Sequence, residues 1–329
     1  MTKHIFIAWI DFQRRAESMQ SFFGYKLHYL PPPYAKTWKK PAGYLLQALR
    51  TVRLIRQERP DVVWVQMPPT FLLHWLWLIR GLGDHPFYII ADCHNRVFRP
   101  PWSRMPGLVS LLNRCAVVLA HNDEVDETAR AMGVNEQCLT VLETRPAQLE
   151  RPPGLSLTSD TPEILVPCSF NPDEPIDTLM AAARAAPEIR FLVTGNVAKA
   201  AARGFTADTP ANVRFTGFLD KSEYESKLFS VSVVLGLTKL EGIQLSVANE
   251  AVGAGKAMVL SDTAILRDLF GAAALFAPNE PEALAAACRE AVARAKELDA
   301  LSADLREARE ARWRGQAERV QAALEKMQS

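Results

Sequence analysis

The chain has almost no charge of either sign to spare. Its 329 residues carry 38 Lys and Arg against 37 Asp and Glu, a net of +1. That balance removes any general attraction to nucleic acid. Cysteine is scarce and odd in number: five, at Cys93, Cys115, Cys138, Cys168 and Cys288, with no C-x-x-C spacing. The pattern excludes a disulfide framework and a zinc knuckle, and it fits reduced thiols in a cytoplasmic protein. No apolar run approaches the roughly 18 to 20 residues of a bilayer span; the longest, FLLHWLWLI, is about half that. The opening MTKH leads straight into the apolar IFIAWI, without the look of a secretory leader. The first strand–helix turn, DFQRRAE, holds no glycine-rich loop, and no D-x-D metal motif follows a strand.

What is present is alternation. Short apolar runs (HIFIAWI, DVVWVQM, FYIIADCH, AVVLAH, CLTVLE) are separated by segments of helical period that stop at glycines such as Gly24 and Gly133. This pattern predicts a parallel, doubly wound α/β sheet over residues 1–145. RPAQLERPPGLSLTSDTP then breaks the periodicity and reads as a linker over 146–162. A second alternating series follows over 163–311: EILVPCSF, IRFLVTGN, VRFTGFL, VSVVLGLT and KAMVLSD as strands, with helices between them. The tail, residues 312–329, reads as an amphipathic helix that returns to the first domain, with Trp313 as its anchor.

The most informative stretch is LTKLEGIQLSVANEAVGAGKAMVLSD, residues 237–262. It reads as a loop leaving a strand, a helix stopped by Gly255, and the next strand. Glu241 precedes the helix and Glu250 lies one to two turns inside it. A helix N-terminus between two carboxylates offers N–H groups to a phosphate and acceptors to sugar or ribose hydroxyls. Glu241, Gly242, Glu250, Ala251, Gly255 and Lys256 resemble the E-G-F-G-x-x-x-x-E-A-x-x-x-G-K-P signature of GT-B glycosyltransferases of the family-4 kind. The chain departs from it in three places. Gln244 replaces a glycine, Ala257 replaces the proline, and the acids are nine apart instead of eight, which places an extra residue near Ala248–Asn249.

The resemblance implies two Rossmann-like domains facing a cleft, the donor nucleotide-sugar held in the second. Thr194-Gly195-Asn196 and Gly217-Phe218 end strands of that half, and the resemblance implies that Gly195, Asn196 and Phe218 contact the nucleotide. Glu250 would hold the ribose, and Glu241 would lie near the transferred sugar. The Arg and Lys that family members offer the diphosphate after the first donor strand are missing: the place reads SFNPDEPID. Lys239, the helix start after Gly242, and Arg14 or Arg15 are the substitutes. In the first half, ADCHNRVF resembles the D-x-H-N run of some inverting GT-B enzymes. Asp92 and His94, on one side of an extended segment, are then candidate general bases, and they imply inversion; the alternative is a capping Asp92 and a packed His94. His121 and Asn122 end another strand, where a capping role leads.

The expected activity is transfer of a sugar from a nucleotide donor to a glycan or lipid-linked acceptor, as in cell-surface polysaccharide synthesis, with no bound metal. An epimerase of the same shape and a non-catalytic nucleotide- or carbohydrate-binding module remain alternatives. Lys36, Trp38, Lys39 and Lys40 in the loop 31–43, with Trp75, Trp77 and Arg80, suit a weak contact with a membrane surface, although FLLHWLWLI also reads as an interior helix.

Overall fold

The computed structural model describes residues 2–34, 40–155 and 161–328. It falls into two compact units, Met1–Arg145 with Ala311–Ser329, and Pro146–Glu310.

In the first unit six strands pair parallel: β1 (His4–Ala8), β2 (Lys26–Tyr29), β3 (Val62–Met67), β4 (Tyr88–Cys93), β5 (Val117–Ala120) and β6 (Leu139–Val141), in the order β2-β1-β3-β4-β5-β6. Both faces are covered. Ile5 and Ile7 of β1 belong to one apolar cluster, and Phe6 and Ala8 to another on the opposite face. That is the consequence of side chains alternating along a strand between two helix layers, and it explains why these strands read as continuous apolar runs. Helix α1 (Arg14–Phe23) follows β1 and ends at Gly24, whose φ of 66° and N–H to the Gln20 carbonyl close it in the left-handed form. Helices α2 (Lys40–Glu58) and α3 (Phe71–Leu82) flank β3.

Two boundaries differ from those read in the sequence. Helix α2 starts at Lys40 rather than Tyr44, because Pro41 falls in the first turn, where a missing N–H costs nothing. The loop expected to touch a membrane is therefore shorter, and its residues 35–39, including Lys36, Trp38 and Lys39, lie outside the described residues. The tail is not a separate helix either. One helix runs from Ala295 to Gln328, with no proline to interrupt it, and its part from Ala311 counts with the first unit.

The second unit repeats the plan with β7 (Glu163–Pro167), β8 (Arg190–Thr194), β9 (Val213–Gly217), β10 (Val233–Gly236), β11 (Met258–Ser261) and β12 (Ala274–Ala277), in the order β12-β11-β10-β7-β8-β9. The chain builds outward from β7 through β8 to β9, then returns to β10 on the other side of β7. Such a reversal opens a crevice at the carboxyl ends of β7 and β10, where sheets of this type hold ligands. A short helix over Val197–Ala202, absent from the sequence reading, follows β8. The helix Ser246–Ala254 is unbroken and closes at Gly255 with φ of 62°. An insertion inside it would rotate Glu250 by about 100° around the axis.

Trp313 is fully buried, edge-on to Phe22 at 5.2 Å and to Phe23 at 6.1 Å, with the Arg145 guanidinium 4.6 Å from its ring centre. Gln316, one turn on, accepts the Glu143 N–H at 2.8 Å. Trp313→Ala should cost about 3 to 5 kcal/mol in urea unfolding. A loss below about 1 kcal/mol would show that the last helix contributes little to the core of the first unit.

Candidate functional site

The second unit carries a cavity of about 490 Å³ at the switch point of its sheet. Pro167, Cys168 and Ser169 line it after β7, Thr194 and Gly195 after β8, and Phe218 just beyond β9. Gly195 has φ of 142°, and a Cβ there would fall 2.0 Å from the Cys168 carbonyl oxygen, so only glycine lets the two turns meet. Gly217, with φ of 81°, turns the chain so that Phe218 stands 79% exposed at the mouth. A ring so placed is a stacking surface for a nucleobase.

The opposite wall is the start of the Ser246–Ala254 helix, with Gln244, Leu245 and Ser246 facing the cavity. Leu245 at its N-cap has no side chain to satisfy the first N–H groups. The Ala248 N–H meets the Leu245 carbonyl at 3.1 Å, so the N–H groups of Ser246 and Val247 are the ones an anion would use, and the helix dipole favours one there. Glu250 also lines the cavity, and its Oε2 accepts the Tyr224 hydroxyl at 2.5 Å, which fixes the carboxylate. Tyr224 escaped the sequence reading. Its helix start was legible, since Asp220 and Glu223 form a capping box, but nothing local shows that the ring reaches Glu250.

The loop after β7 has an unexpected charge pattern. Glu174 accepts from the Ser169 and Asn171 N–H groups, both at 3.0 Å. Lys199 brings the cation that SFNPDEPID lacks: its ammonium donates to the Ser169 carbonyl at 2.6 Å and to Asn171 Oδ1 at 2.7 Å. Asn196, expected to touch nucleotide, instead spends its Oδ1 on capping Lys199's helix at 3.1 Å. Neither Lys239 nor Glu241 lines the cavity. Lys239 is exposed and donates its N–H to the Asp173 carbonyl, and Glu241 accepts the Ala264 N–H at 3.3 Å. Gly242 is an exposed turn with φ of 73°. The structure thus gathers Gly195, Phe218 and Glu250 around one space and leaves Lys239, Glu241 and Gly242 off its lining; Asn196 and Lys199 are off it too, although Lys199 bonds to Ser169 and Asn171, which do line it.

The first unit holds a separate polar cluster at the carboxyl ends of β4 and β5. Asp92 is fully buried. Arg15 reaches it from α1 with Nε at 3.2 Å and Nη2 at 3.1 Å, and His121 with Nε2 at 2.9 Å. The rest of the guanidinium is spent on the Glu143 and Leu142 carbonyls, at 2.6 and 2.7 Å, and on Thr144 at 3.5 Å. All five N–H groups are then engaged. Arg15 is consequently no phosphate ligand. Arg14 is half-buried, 4.0 Å from Glu17 and over the Phe12 ring.

Asp92 does not fit the role of general base either. Burial would raise its pKa, but Arg15 and His121 outweigh that and hold it well below the carboxylate range. A sealed, strongly acidic carboxyl accepts no proton from an acceptor hydroxyl. His94 fails for another reason. Burial and the neighbouring His121 bring its pKa down to about 4, so the ring is neutral near pH 7. Its Nδ1 accepts the Arg96 N–H at 3.4 Å, which leaves the proton on Nε2, a donor. His121 is also pushed down, by burial and Arg15 against Asp92. Its Nε2–H donates to Asp92, so its bare nitrogen is Nδ1. An imidazole oriented by a buried carboxylate is the arrangement of a base and its positioning acid.

Residues 161–294 match the family described as glycosyl transferases, group 1. A search of curated protein sequences finds no match. Among solved structures, HepE of Anabaena, in complex with UDP and glucose, superposes with a TM-score of 0.66 at 12% identity, covering 100% of both chains. Sucrose-phosphate synthase of Thermosynechococcus elongatus gives 0.69 at 15% identity, over 100% of this chain and 98% of that one. A glycosyltransferase of Rickettsia africae gives 0.62 at 12%, over 98% and 99%. The fold is that of the GT-B glycosyltransferases, and the segment matching the group 1 model lies within the second unit.

Asp92→Asn should destabilise the protein by about 3 to 5 kcal/mol in urea, because it strands the buried Arg15 charge. A merely catalytic Asp92 would leave the unfolding midpoint unchanged. His94 binds its proton more weakly folded than at its ordinary value of 6.5. Its contribution to stability is complete above that pH and is lost as the pH falls toward about 4. The melting temperature should drop across this window, and His94→Gln should make the drop shallower.

Proposed function

We propose that the protein transfers a sugar from a nucleotide-sugar to a glycan or lipid-linked acceptor. The observation that carries this reading is the 490 Å³ cavity at the switch point, where Phe218, Gly195, Glu250 and an uncapped helix start surround one space within the segment matching group 1 glycosyltransferases. Phe218 would stack the base, Glu250 would accept the ribose hydroxyls, and the helix start with Lys199 would meet the diphosphate. HepE, which shares the fold, is solved with UDP-glucose. A uridine diphosphate sugar is the donor to test first.

Charge that grows on the leaving diphosphate must be stabilised in the transition state. We assign this to the helix N–H groups and Lys199, which makes the reaction metal-independent. We also propose inversion, now resting on His121: its Nδ1 would take the acceptor proton while Asp92 steadies the ring. Removing a general base costs about 100- to 10,000-fold in rate.

A second reading has one observation in its favour. Glu174 already occupies the two loop N–H groups that an anion would use, and a non-catalytic nucleotide-binding module would keep such an acid. Release of UDP from UDP-sugar together with acceptor separates the two.

Phe218→Ala should weaken UDP binding by at least about fivefold in calorimetry, since base–aromatic stacking is worth about 1 to 3 kcal/mol. Glu250→Gln should weaken UDP-sugar and UDP alike, and Lys199→Ala should weaken UDP more than uridine. Unchanged affinity in all three would remove the cavity as the donor site. Turnover should survive EDTA; its loss, restored by magnesium, would replace the metal-independent assignment. His121→Asn should lose at least about 100-fold in turnover with UDP affinity kept, and a product with the donor's own anomeric configuration would overturn inversion.

A further inference from the structure

Helix α2 carries large apolar side chains on its outward face as well as its inward one. Its buried positions are small or polar, Gly43, Gln47, Ala48 and Thr51, except for Ile55, while Tyr44 and Leu54 pack half-buried against the core. Its outward face carries Leu45, Leu46 and Leu49, exposed by 59%, 37% and 54%. Helix α3 adds Leu78 at 48% and Leu82 at 80%. Five of the eleven strongly exposed large apolar side chains among the described residues therefore stand on two adjacent helices.

Trp75 of α3 donates its indole N–H to the Ala48 carbonyl of α2 at 2.9 Å and holds the two together. Between them lies a groove of about 490 Å³, with Ile55, Trp75, Ile79 and Phe87 as apolar walls. Arg56 and Arg59 flank it, opposed by Asp84 and His85. Along α2 the cations are Lys40, Arg50, Arg53 and Arg56. The helix has one acid, Glu58, and that acid is already paired with Lys3 at 2.8 Å and Lys26 at 2.6 Å. Leucines and unneutralised arginines on one helix surface complement a layer of acyl chains beneath anionic phosphates.

We propose that α2 and α3 form an anionic-phospholipid binding face: the exposed leucines enter the acyl layer, one acyl chain lies in the groove, and Arg56 and Arg59 take the lipid phosphate. Residues 31–39, ahead of α2, are not needed for this contact. The inference rests on the lipid-linked form of the proposed acceptor only for its use; the binding itself is independent of transfer.

The test is sedimentation of the full chain with vesicles of phosphatidylglycerol and phosphatidylcholine, against phosphatidylcholine alone, at low and high salt. Binding to the anionic vesicles at low salt, lost at high salt, is expected. The double variant Arg56→Gln, Arg59→Gln should bind about 25-fold more weakly, about fivefold for each cation. Leu49→Ser with Leu82→Ser should weaken binding without lowering the melting temperature, since both side chains are already exposed to water. Equal binding to the neutral vesicles, wild-type binding by both variants, or no binding at all would overturn the proposal. So would a dimer in solution that the leucine variants dissociate, which would assign the face to a second copy. UDP affinity measured on the same variants should not change. Its absence in the wild type would count against the donor reading while leaving this one standing.

Discussion

The buried pair of Arg15 and Asp92 organises the first unit around its sheet. One guanidinium ties the start of α1 to the end of β4 and to the chain leaving β6, through one carboxylate and the Leu142 and Glu143 carbonyls. A buried ion pair adds little net stability when compared with apolar side chains of the same size, because both charges gave up water. Its grip is asymmetric. Once the pair is in place neither partner can be lost cheaply, so three chain segments are locked in one arrangement. The same pair decides the chemistry beside it: it keeps Asp92 ionised and out of reach, and it turns His121 so that Nδ1 carries the lone pair.

The architecture was legible in the sequence because parallel strands buried on both faces leave an unmistakable trace, apolar runs such as VVWVQM whose every residue is buried. The stops at Gly24 and Gly255 were legible too, as the left-handed closures that glycine permits. The D-x-H-N run shows where that legibility ends. Alternation would put Asp92 and His94 on the same side, but β4 finishes at Cys93, and His94 is already the cap of the turn Asn95–Phe98. A period of two says nothing once the strand has ended. Which partner would reach Asp92 was not legible either, since Arg15 lies 77 residues away in sequence.

At the cavity of the second unit the motif and the geometry divide the work. Gly195, Phe218 and Glu250 could be named from their strand ends and spacing, because each owes its position to its own segment. Lys199 and Tyr224 could not, because each acts on a residue of another segment, Lys199 on Ser169 and Asn171, Tyr224 on Glu250. Glu241 shows the converse. Its place in the signature was clear, yet its carboxylate turns to the Ala264 amide. A signature fixes residue types along the chain, while the direction of an exposed side chain is set by whatever donor stands nearest.

The loop after β7 bears on how a cavity with Glu174 and Glu250 on its lining would receive the proposed diphosphate. Glu174 is not an unmet negative charge: two loop N–H groups hold it, and they would otherwise be the natural anion cradle. What remains for a phosphate comes from elsewhere. The ammonium of Lys199 has three N–H groups and spends two, on Ser169 and Asn171. The third is left over without breaking either bond. The helix from Ser246 contributes first-turn N–H groups that no side chain caps. In the proposed reading the diphosphate is met by a helix start plus one lysine rather than by an Arg and Lys after the first donor strand. A helix dipole is fixed in place, so in that reading it would stabilise the charge on the leaving group without the reorganisation that a flexible arginine would require.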